Sequence, residues 1–176
     1  MGLLPLSYAQ GASDEARVRV AFVYNFIKFT EWPNQATSDS LRVCVLGADR
    51  DTKDALRPLN AQPVITQKID AKLVVKQAVE LVFLDDPTST LQQLKSCHIL
   101  YRPSRATAIA IPDPLPLGVV FIADEPHPSE ANVSIALKRS RSGTIEFSIA
   151  TAAINLSGVK LSSQVLKLAK NSQGGK

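Results

Sequence analysis

The sequence has few side chains of the types that act in catalysis or bind metals. Its histidines are His98 and His127, and its cysteines are Cys44 and Cys97. A protein zinc site needs three or four ligands with workable geometry, and the sequence contains no HxH, HExxH or CxxC pattern. We therefore predict no metal or other cofactor, which leaves the thiols and the carboxylates as candidates for reactive or ligand-binding groups.

Thiol chemistry is the first of these candidates. A hydrolase of the Cys–His kind needs a reactive thiolate beside a positioned base. Cys44 lies between Val43 and Val45 in an apolar run, which favours an inert buried sulfur. His98 directly follows Cys97, so these two side chains would point to opposite faces of a strand. We predict no catalytic residue, and a Cys44–His98 pair is the enzyme alternative.

Carboxylates follow two predicted interior strands, at the position where open α/β sheets place ligand-binding residues. Asp85 and Asp86 follow one strand, and Asp124 and Glu125 follow another. Carboxylates in this position also commonly cap the next helix, and Asp86 lies two residues before Thr88, as such a cap requires. We expect the structural role and keep a small-ligand site as the alternative.

Two further kinds of ligand site find little support in the sequence. A phosphate-binding loop needs several glycines, and Gly47 after the first predicted strand stands alone. This disfavours nucleotide binding of the Rossmann or P-loop type. Metal binding by His127 with Asp124 and Glu125 is a further alternative, although three polar residues after a strand usually form a loop.

The composition is that of a globular protein of one domain. The chain has 176 residues, of which 45% are hydrophobic and 20% are charged, close to the averages for globular domains. Its net charge is +4, but the densest basic run, 138–141, contains no aromatic residue, so we predict no nucleic-acid binding. The longest apolar stretches, such as 117–123, are far shorter than the roughly 20 residues of a membrane-spanning helix, so we predict no membrane insertion.

The first residues resemble the end of a secretion signal. A short apolar stretch contains Ser7 and Ala9 at its end, small residues at the two positions that a signal peptidase inspects. We therefore expect residues 1–12 to be a signal-peptide remnant or a disordered leader, and the protein to be exported. In an oxidising compartment two cysteines most simply form one disulfide, whereas in a cytosolic protein Cys44 and Cys97 would be buried free thiols.

The rest of the pattern predicts alternating helices and strands. A serine and two acidic residues at 13–15 predict a helix start, and Pro33 after Trp32 predicts its end. Residues 72–75 fit either a strand or a helix, and four prolines between 103 and 116 predict a loop. The remaining predicted helices are 51–59, 88–95, 151–156 and 161–170, and the predicted strands are 41–47, 64–69, 80–85, 97–102, 118–124, 132–138 and 144–149.

These elements predict a single domain from residue 13 to residue 170, followed by a disordered tail at 171–176. Strands that alternate with helices form mostly parallel sheets, and two strands joined by a short turn form an antiparallel hairpin. The predicted fold class is therefore α/β. It is a three-layer sandwich with a mostly parallel central sheet, flanking helices and an antiparallel hairpin near the C-terminus.

Four blocks of sequence, in order, resemble the YfiR family. The segment 21–33 (AFVYNFIKFTEWP) resembles the opening helix of that family, and 41–47 (LRVCVLG) resembles its first strand. The segments 97–101 (CHILY) and 161–169 (LSSQVLKLA) resemble its later cysteine-led strand and its closing helix. Together the resemblance covers residues 16–170.

This resemblance implies a periplasmic, non-catalytic α/β protein that is often a homodimer. It would bind the periplasmic domain of an inner-membrane diguanylate cyclase and hold the enzyme inactive, which would lower cyclic di-GMP and biofilm formation. Cys44 and Cys97 fall on cysteine positions of the family, which implies that they form its structural disulfide. The sequence differs at 147–150, with Phe-Ser-Ile-Ala where the family tends to carry Phe-Glu-Ile-Asn, and it has one cysteine pair where some relatives have a second.

An inhibitory interface needs a buried apolar or aromatic anchor, and two segments offer one. Trp32 and Pro33 lie at the predicted end of the first helix, and Leu161, Gln164 and Leu168 lie on the predicted last helix. We predict these five residues as the partner-binding surface, although Trp32 fits the core equally well. The alternative function is a periplasmic small-ligand-binding sensor that signals to another membrane protein, such as a histidine kinase.

Overall fold

The structure is a computed structural model that describes residues 7–33, 39–69, 73–86, 88, 91–107 and 109–169. Part of the predicted leader, residues 1–6, and the predicted tail 171–176 lie outside the described residues. The strands are β1 (Thr30–Glu31), β2 (Ser40–Leu46), β3 (Pro63–Ile69), β4 (Leu73–Leu84), β5 (Ile99–Arg102), β6 (Val120–Asp124), β7 (Ile135–Arg139), β8 (Ile145–Ile149) and β9 (Lys160–Leu161). The helices are α1 (Ser7–Lys28), α2 (Arg50–Leu56, continued by a 3-10 turn at Arg57–Leu59), α3 (Leu91–Lys95), α4 (Thr151–Ser157) and α5 (Ser163–Leu168).

Seven of the strands form one sheet, which is the central layer of the domain. Its order is β3-β4-β2-β5-β6-β7-β8. The four inner pairs are parallel, and the two outer pairs, β3–β4 and β7–β8, are antiparallel. The β7–β8 pair is the predicted hairpin near the C-terminus. The prediction of a mostly parallel sheet with an antiparallel hairpin is therefore confirmed.

Alternate residues of each central strand point to opposite faces of the sheet and divide the core in two. In β2, Val43 and Val45 belong to the first apolar cluster, and Cys44 and Leu46 belong to the second. The first cluster packs against α1, α2, α4 and α5, and the second is covered by α3 and by part of the loop 103–119. Helices on both faces of the sheet make the predicted three-layer sandwich.

The strand β4 is longer than the sequence pattern predicts. The pattern predicts a strand at 80–85 and leaves 72–75 open, whereas β4 runs without a break from Leu73 to Leu84. Its first half pairs with β3 and its second half pairs with β2. The backbone hydrogen bonds to these two neighbours extend the strand beyond its apolar run.

Helix α1 differs from its predicted bounds at both ends. It begins at Ser7 instead of near Ser13, because residues 8–12 contain no proline and include good helix formers. It ends at Lys28, before the predicted stop at Trp32, because the strand β1 follows it. The helix therefore lies closer to the N-terminus of the chain than the sequence pattern predicts.

A two-stranded sheet joins the end of α1 to the start of α5. Thr30 of β1 pairs with Leu161 of β9, and the backbone N–H of Ser162 donates to the carbonyl of Phe29 at 2.9 Å. The Ser162 side chain then caps α5 by accepting a hydrogen bond from the N–H of Val165. The prediction that Leu161 lies on the last helix is wrong, because α5 begins only after this cap.

Candidate functional site

Cys44 and Cys97 form a disulfide, as the sequence predicts. Cys44 lies in β2, Cys97 lies just before β5, and their Cα atoms are 5.9 Å apart. Both residues are buried in the second apolar cluster, so the disulfide covalently links β2 to the segment just before β5. A disulfide sulfur is not a nucleophilic thiolate, which excludes the Cys44–His98 hydrolase alternative.

Trp32 is buried beside His98 at the amino end of β5. The indole Nε1 donates to the His98 carbonyl at 3.3 Å, and the two rings meet edge to face with centroids 6.0 Å apart. The Nδ1 of His98 accepts a hydrogen bond from the Arg42 backbone N–H at 3.0 Å. Burial, together with the Arg42 guanidinium, lowers the pKa of His98 below its ordinary value of 6.5. Trp32 thus packs in the core, whereas Pro33 is exposed.

An apolar groove lies between α1 and α5. It is lined by Phe22 and Phe29 of α1, Phe147 of β8, and Gln164 and Leu168 of α5, and we call it the α1–α5 groove. Its volume is about 170 Å³. The rings of Phe22 and Phe147 pack with centroids 5.7 Å apart, and the Leu168 side chain at the mouth is 73% exposed. The groove therefore has an aromatic wall and an exposed aliphatic edge.

The five predicted partner-binding residues fall into two groups in the structure. Gln164 and Leu168 share the α1–α5 groove. Trp32 and Pro33 line a different cavity of about 150 Å³, next to the disulfide. Leu161 is half-buried in β9 and packs at the margin of the first apolar cluster. Two of the residues named on the predicted last helix thus line the groove, and the sequence analysis did not name the aromatic residues that α1 and β8 contribute.

The first pair of strand-end carboxylates has local structural partners. Asp85 Oδ2 accepts a hydrogen bond from Lys53 Nζ at 2.6 Å, and Asp86 Oδ1 accepts one from the Thr88 N–H at 2.8 Å. Hydrogen bonds from the Thr88 side chain and backbone lower the pKa of Asp86. The contact with Thr88 is the predicted one, and the described part of α3 is Leu91–Lys95.

The second pair of strand-end carboxylates belongs to a buried ionic network that the sequence analysis did not predict. Arg19 of α1 is its centre: Nη2 donates to Glu15 Oε1 and to Glu125 Oε1, both at 2.7 Å. Arg19 Nη1 lies 3.5 Å from Asp124 Oδ1 and donates to the Leu137 carbonyl at 3.4 Å. The network holds α1 against the carboxyl end of β6.

Asp124 is the most deeply placed carboxylate of this network. Its Oδ2 accepts hydrogen bonds from the Tyr101 hydroxyl at 2.9 Å and from the Ser104 N–H at 3.2 Å. Burial raises the pKa of Asp124 to about 6, against the opposing effects of Arg19 and these hydrogen bonds. Glu15 and Arg19, four residues apart on one face of α1, are the sequence signal that would have indicated the network.

The residues of the metal alternative face different partners. His127 Nδ1 lies 2.7 Å from Ser129 Oγ, whereas Asp124 and Glu125 both contact Arg19. Across the residues that the structure describes, no group of three or more His, Cys, Asp and Glu side chains is arranged to hold a metal ion. None of the described helices has the length and the apolar character needed to cross a membrane.

Comparison with known protein families shows what the chain is related to. A family model described as YfiR/HmsC-like matches residues 16–170, which is almost all of the 176-residue chain. The chain belongs to the YfiR/HmsC-like family. A search of curated proteins finds no match. The resemblance carried by the four sequence blocks is thereby confirmed.

The YfiR/HmsC-like family consists of periplasmic regulators of diguanylate cyclase signalling and is non-catalytic. Its role implies interaction with a membrane-bound signalling partner. The disulfide between Cys44 and Cys97 agrees with an oxidising compartment. The surfaces to consider in a YfiR/HmsC-like protein are therefore those that a partner protein could cover.

Proposed function

We propose that this YfiR/HmsC-like protein binds the periplasmic domain of an inner-membrane diguanylate cyclase and holds the cyclase inactive. The consequence is less cyclic di-GMP and less biofilm. The observation that carries the proposal is the α1–α5 groove, in a family of non-catalytic regulators. Regulation without catalysis has to act through differential binding, so the surface that contacts the partner is the functional site.

The α1–α5 groove has the features of an interface anchor site. Phe22 and Phe29 are half-buried, so their rings line the groove and remain in part accessible. Leu168 is 73% exposed, and Leu166 on the same helix is 48% exposed. Lys28 Nζ lies 5.8 Å from the Phe29 ring centroid and places a cation at the rim. An apolar centre with a polar rim is the usual arrangement of a binding hot spot.

The energetic requirement decides how much of this surface the partner must cover. Moving a two-state cyclase from 1% to 99% inactive requires a binding preference of about 5.5 kcal/mol for the inactive state. A single anchor side chain typically contributes about 2–4 kcal/mol at such an interface. One anchor residue is therefore too little, so several residues of the α1–α5 groove have to contribute, and we propose a second contact at Pro33, which is exposed.

Trp32 and Leu161 have a different part in this proposal. Trp32 is 4% exposed, and Leu161 pairs with Thr30 in the two-stranded sheet. Both residues therefore position the segments that contact the partner, and contribute little contact area themselves. A homodimer is part of the same proposal, because two copies that pair through the α1–α5 groove would also cover its apolar lining. The dimer and the cyclase would then compete for one surface.

The test is a binding and repression assay with matched variants. Gln164→Arg and Leu168→Asp place charge in the groove, and Leu156→Asp places the same charge on α4, where Leu156 is 75% exposed. We expect the two groove variants to bind the purified periplasmic domain of the cyclase at least about tenfold more weakly and to raise cellular cyclic di-GMP. Leu156→Asp should behave as the wild type. Normal binding and repression by both groove variants would refute the proposed surface.

A further inference from the structure

A small cavity lies at the carboxyl ends of β2, β5 and β6, beneath the part of α1 that contains Glu15 and Arg19. We call it the strand-end cavity; Glu15 and Arg19 cover it, Asp49 and Asp51 follow β2, Arg105 follows β5, and Asp124 ends β6. Its volume is about 70 Å³. It is separate from the α1–α5 groove, because the two cavities have no lining residue in common.

The topology of the sheet places this cavity at a switch point. After β2 the chain passes through α2 to β3 and β4 on one side of β2, whereas β5 pairs with the other side of β2 and leads on to β6. The loops that follow β2 and β5 therefore diverge and leave a crevice between the two strand ends. Open α/β sheets bind ligands in such a crevice, which makes the cavity a site by its position as well as by its shape.

One buried polar atom of the cavity lining, Oδ1 of Asp124, has no hydrogen-bond partner within the described part of the chain. The Asp124 side chain is 2% exposed, and its Oδ1 accepts no hydrogen bond from the described part of the chain. The nearest cation is Arg19 Nη1 at 3.5 Å, and that guanidinium already donates to Glu15, Glu125 and the Leu137 carbonyl. Buried polar atoms of native proteins nearly always have a hydrogen-bond partner, whereas Oδ1 has only the ion-pair contact with Arg19, so it can accept a hydrogen bond from a ligand.

The charge and size of the strand-end cavity define the chemistry of that donor. Four carboxylates and two guanidinium groups line it, so with all six ionised the lining carries a net charge of −2. The complementary ligand is therefore a cation that carries N–H donors. Sites for drug-sized ligands are about 300 Å³ or larger, so a cavity of about 70 Å³ accommodates only a small head group whose remaining atoms project outward.

We propose that the strand-end cavity binds the primary ammonium head group of a small organic amine. One N–H of the ammonium donates to Asp124 Oδ1, and the carboxylates of Asp49 and Asp51 at the rim complement the remaining charge. This site goes beyond the proposed contact with the cyclase and does not depend on it, since the amine binds at the edge of the sheet. A ligand there would contact α1 and the loops after β2 and β5 together.

The test is a titration of the purified, isotopically labelled protein monitored by backbone amide chemical shifts. The probes are n-propylamine, tetramethylammonium as a cation without N–H donors, and inorganic phosphate as an anion. We expect n-propylamine to produce saturable shifts at the amides of Ser104 and Thr52, which donate to Asp124 and Asp49. Tetramethylammonium and phosphate should produce none there. Equal saturation by tetramethylammonium, or no saturable shift with the amine, would overturn the proposal.

Variants locate the binding in the cavity. Asp124→Asn should weaken the binding of n-propylamine at least about tenfold, because the substitution replaces a charged acceptor by a neutral one. Asp51→Asn is the second variant, since Asp51 is exposed and its replacement leaves the core intact. This variant should weaken the binding of n-propylamine severalfold. Asp54→Asn removes the same charge from α2 outside the cavity and should leave binding unchanged. Binding that is equally affected by Asp51→Asn and Asp54→Asn would show only general charge attraction and contradict the assigned site.

These measurements separate the two proposals of function. The titration uses the YfiR/HmsC-like protein alone, so its outcome does not change if the cyclase contact is refuted. Conversely, Gln164→Arg and Leu168→Asp alter the α1–α5 groove and leave the strand-end cavity intact. A protein that binds the amine and fails to bind the cyclase would support the ligand site and refute the proposed partner.

Discussion

Arg19 on α1 and Asp124 at the end of β6 form a buried ion pair. Arg19 Nη1 lies 3.5 Å from Asp124 Oδ1, and the two side chains are 4% and 2% exposed. The pair connects the N-terminal helix to the carboxyl edge of the central sheet. Both side chains also line the strand-end cavity, so Asp124 takes part in the stability of the fold as well as in the proposed ligand site.

Replacement of Arg19 by methionine tests the structural part of this relationship. We expect Arg19→Met to lower the free energy of unfolding by about 3–5 kcal/mol, because Asp124 then stays buried without its cation. Urea unfolding monitored by circular dichroism measures the loss. Arg17→Met is the control, since the ion pair of Arg17 with Asp14 is mostly exposed and such pairs contribute little.

A second replacement separates the loss of the ion pair from the loss of packing. Adding Asp124→Asn to Arg19→Met should recover part of the stability, because the uncompensated buried charge is removed. If Arg19→Met were as stable as Arg17→Met, the buried pair would be unimportant to the fold.

The layered fold could be predicted from the sequence because its central strands are short apolar runs. The strands β2, β5 and β6 are flanked by parallel neighbours and buried on both faces, and such strands read as continuous hydrophobic segments. The two-residue strands β1 and β9 could not be predicted in this way. Their pairing depends on where the ends of α1 and α5 lie in space, which also explains the wrong placement of Leu161 on a helix.

The sites could be predicted only where the sequence leaves few choices. Cys44 and Cys97 are the only two cysteines, so an oxidising compartment determines their pairing. The ionic network has no such constraint, because Arg19 and Glu125 lie 106 residues apart and many other acidic residues could have been the partner. Only the three-dimensional structure brings the end of β6 beneath α1.

Removal of the disulfide should destabilise the protein without removing its fold. The 53-residue separation of Cys44 and Cys97 gives a chain-entropy contribution of about 4 kcal/mol, within the usual range of about 2–5 kcal/mol for native disulfides. We expect the double variant Cys44→Ala/Cys97→Ala to have a free energy of unfolding that is lower by about this amount, as measured by urea unfolding. Titration of the denatured, unreduced wild type should detect no free thiol.

A reducing agent provides the control for this prediction. Dithiothreitol should destabilise the wild type and leave the double alanine variant unchanged, because only the wild type has a bond to reduce. A double variant as stable as the wild type would show that the fold gains nothing from the bond.

The contribution of His98 to stability should fall below about pH 6.5, and Asp124 opposes it, because its raised pKa of about 6 lets the folded protein bind a proton before the unfolded chain does. Burial lowers the pKa of His98 in the folded protein, so on acidification the unfolded chain binds its proton first, and the free energy of unfolding decreases. The contribution is fully present above about pH 6.5, the pKa of the unfolded chain. It is lost as the pH falls toward the lower pKa of the folded state. Thermal unfolding between about pH 7.5 and 5.5 measures the effect.

Two asparagine variants test the assignment to His98. Asparagine retains an acceptor for the Arg42 N–H, so His98→Asn should keep the contact and remove this part of the pH dependence. His127 is exposed in a loop, and His127→Asn should retain the wild-type profile. A profile that is unchanged in His98→Asn would assign the acid sensitivity to another group.

Among the four glycines whose surroundings the structure describes, Gly47 should be the least tolerant of replacement, because it combines an unusual backbone conformation with a close contact. It follows β2 with φ +55°, and an added Cβ would lie 2.6 Å from the backbone N of Thr107. Thr107 N donates to the Gly47 carbonyl at 3.2 Å and Gly47 N donates to the Leu84 carbonyl at 2.9 Å, so neither segment can move away freely.

Gly118 is the control, because it has φ +79° and nothing within 4 Å of its added Cβ. We expect Gly118→Ala to lower the free energy of unfolding by about 1 kcal/mol, from backbone strain alone. Gly47→Ala should lower it by about 3 kcal/mol or more, as measured by urea unfolding. Equal losses would mean that the contact with Thr107 relaxes without cost.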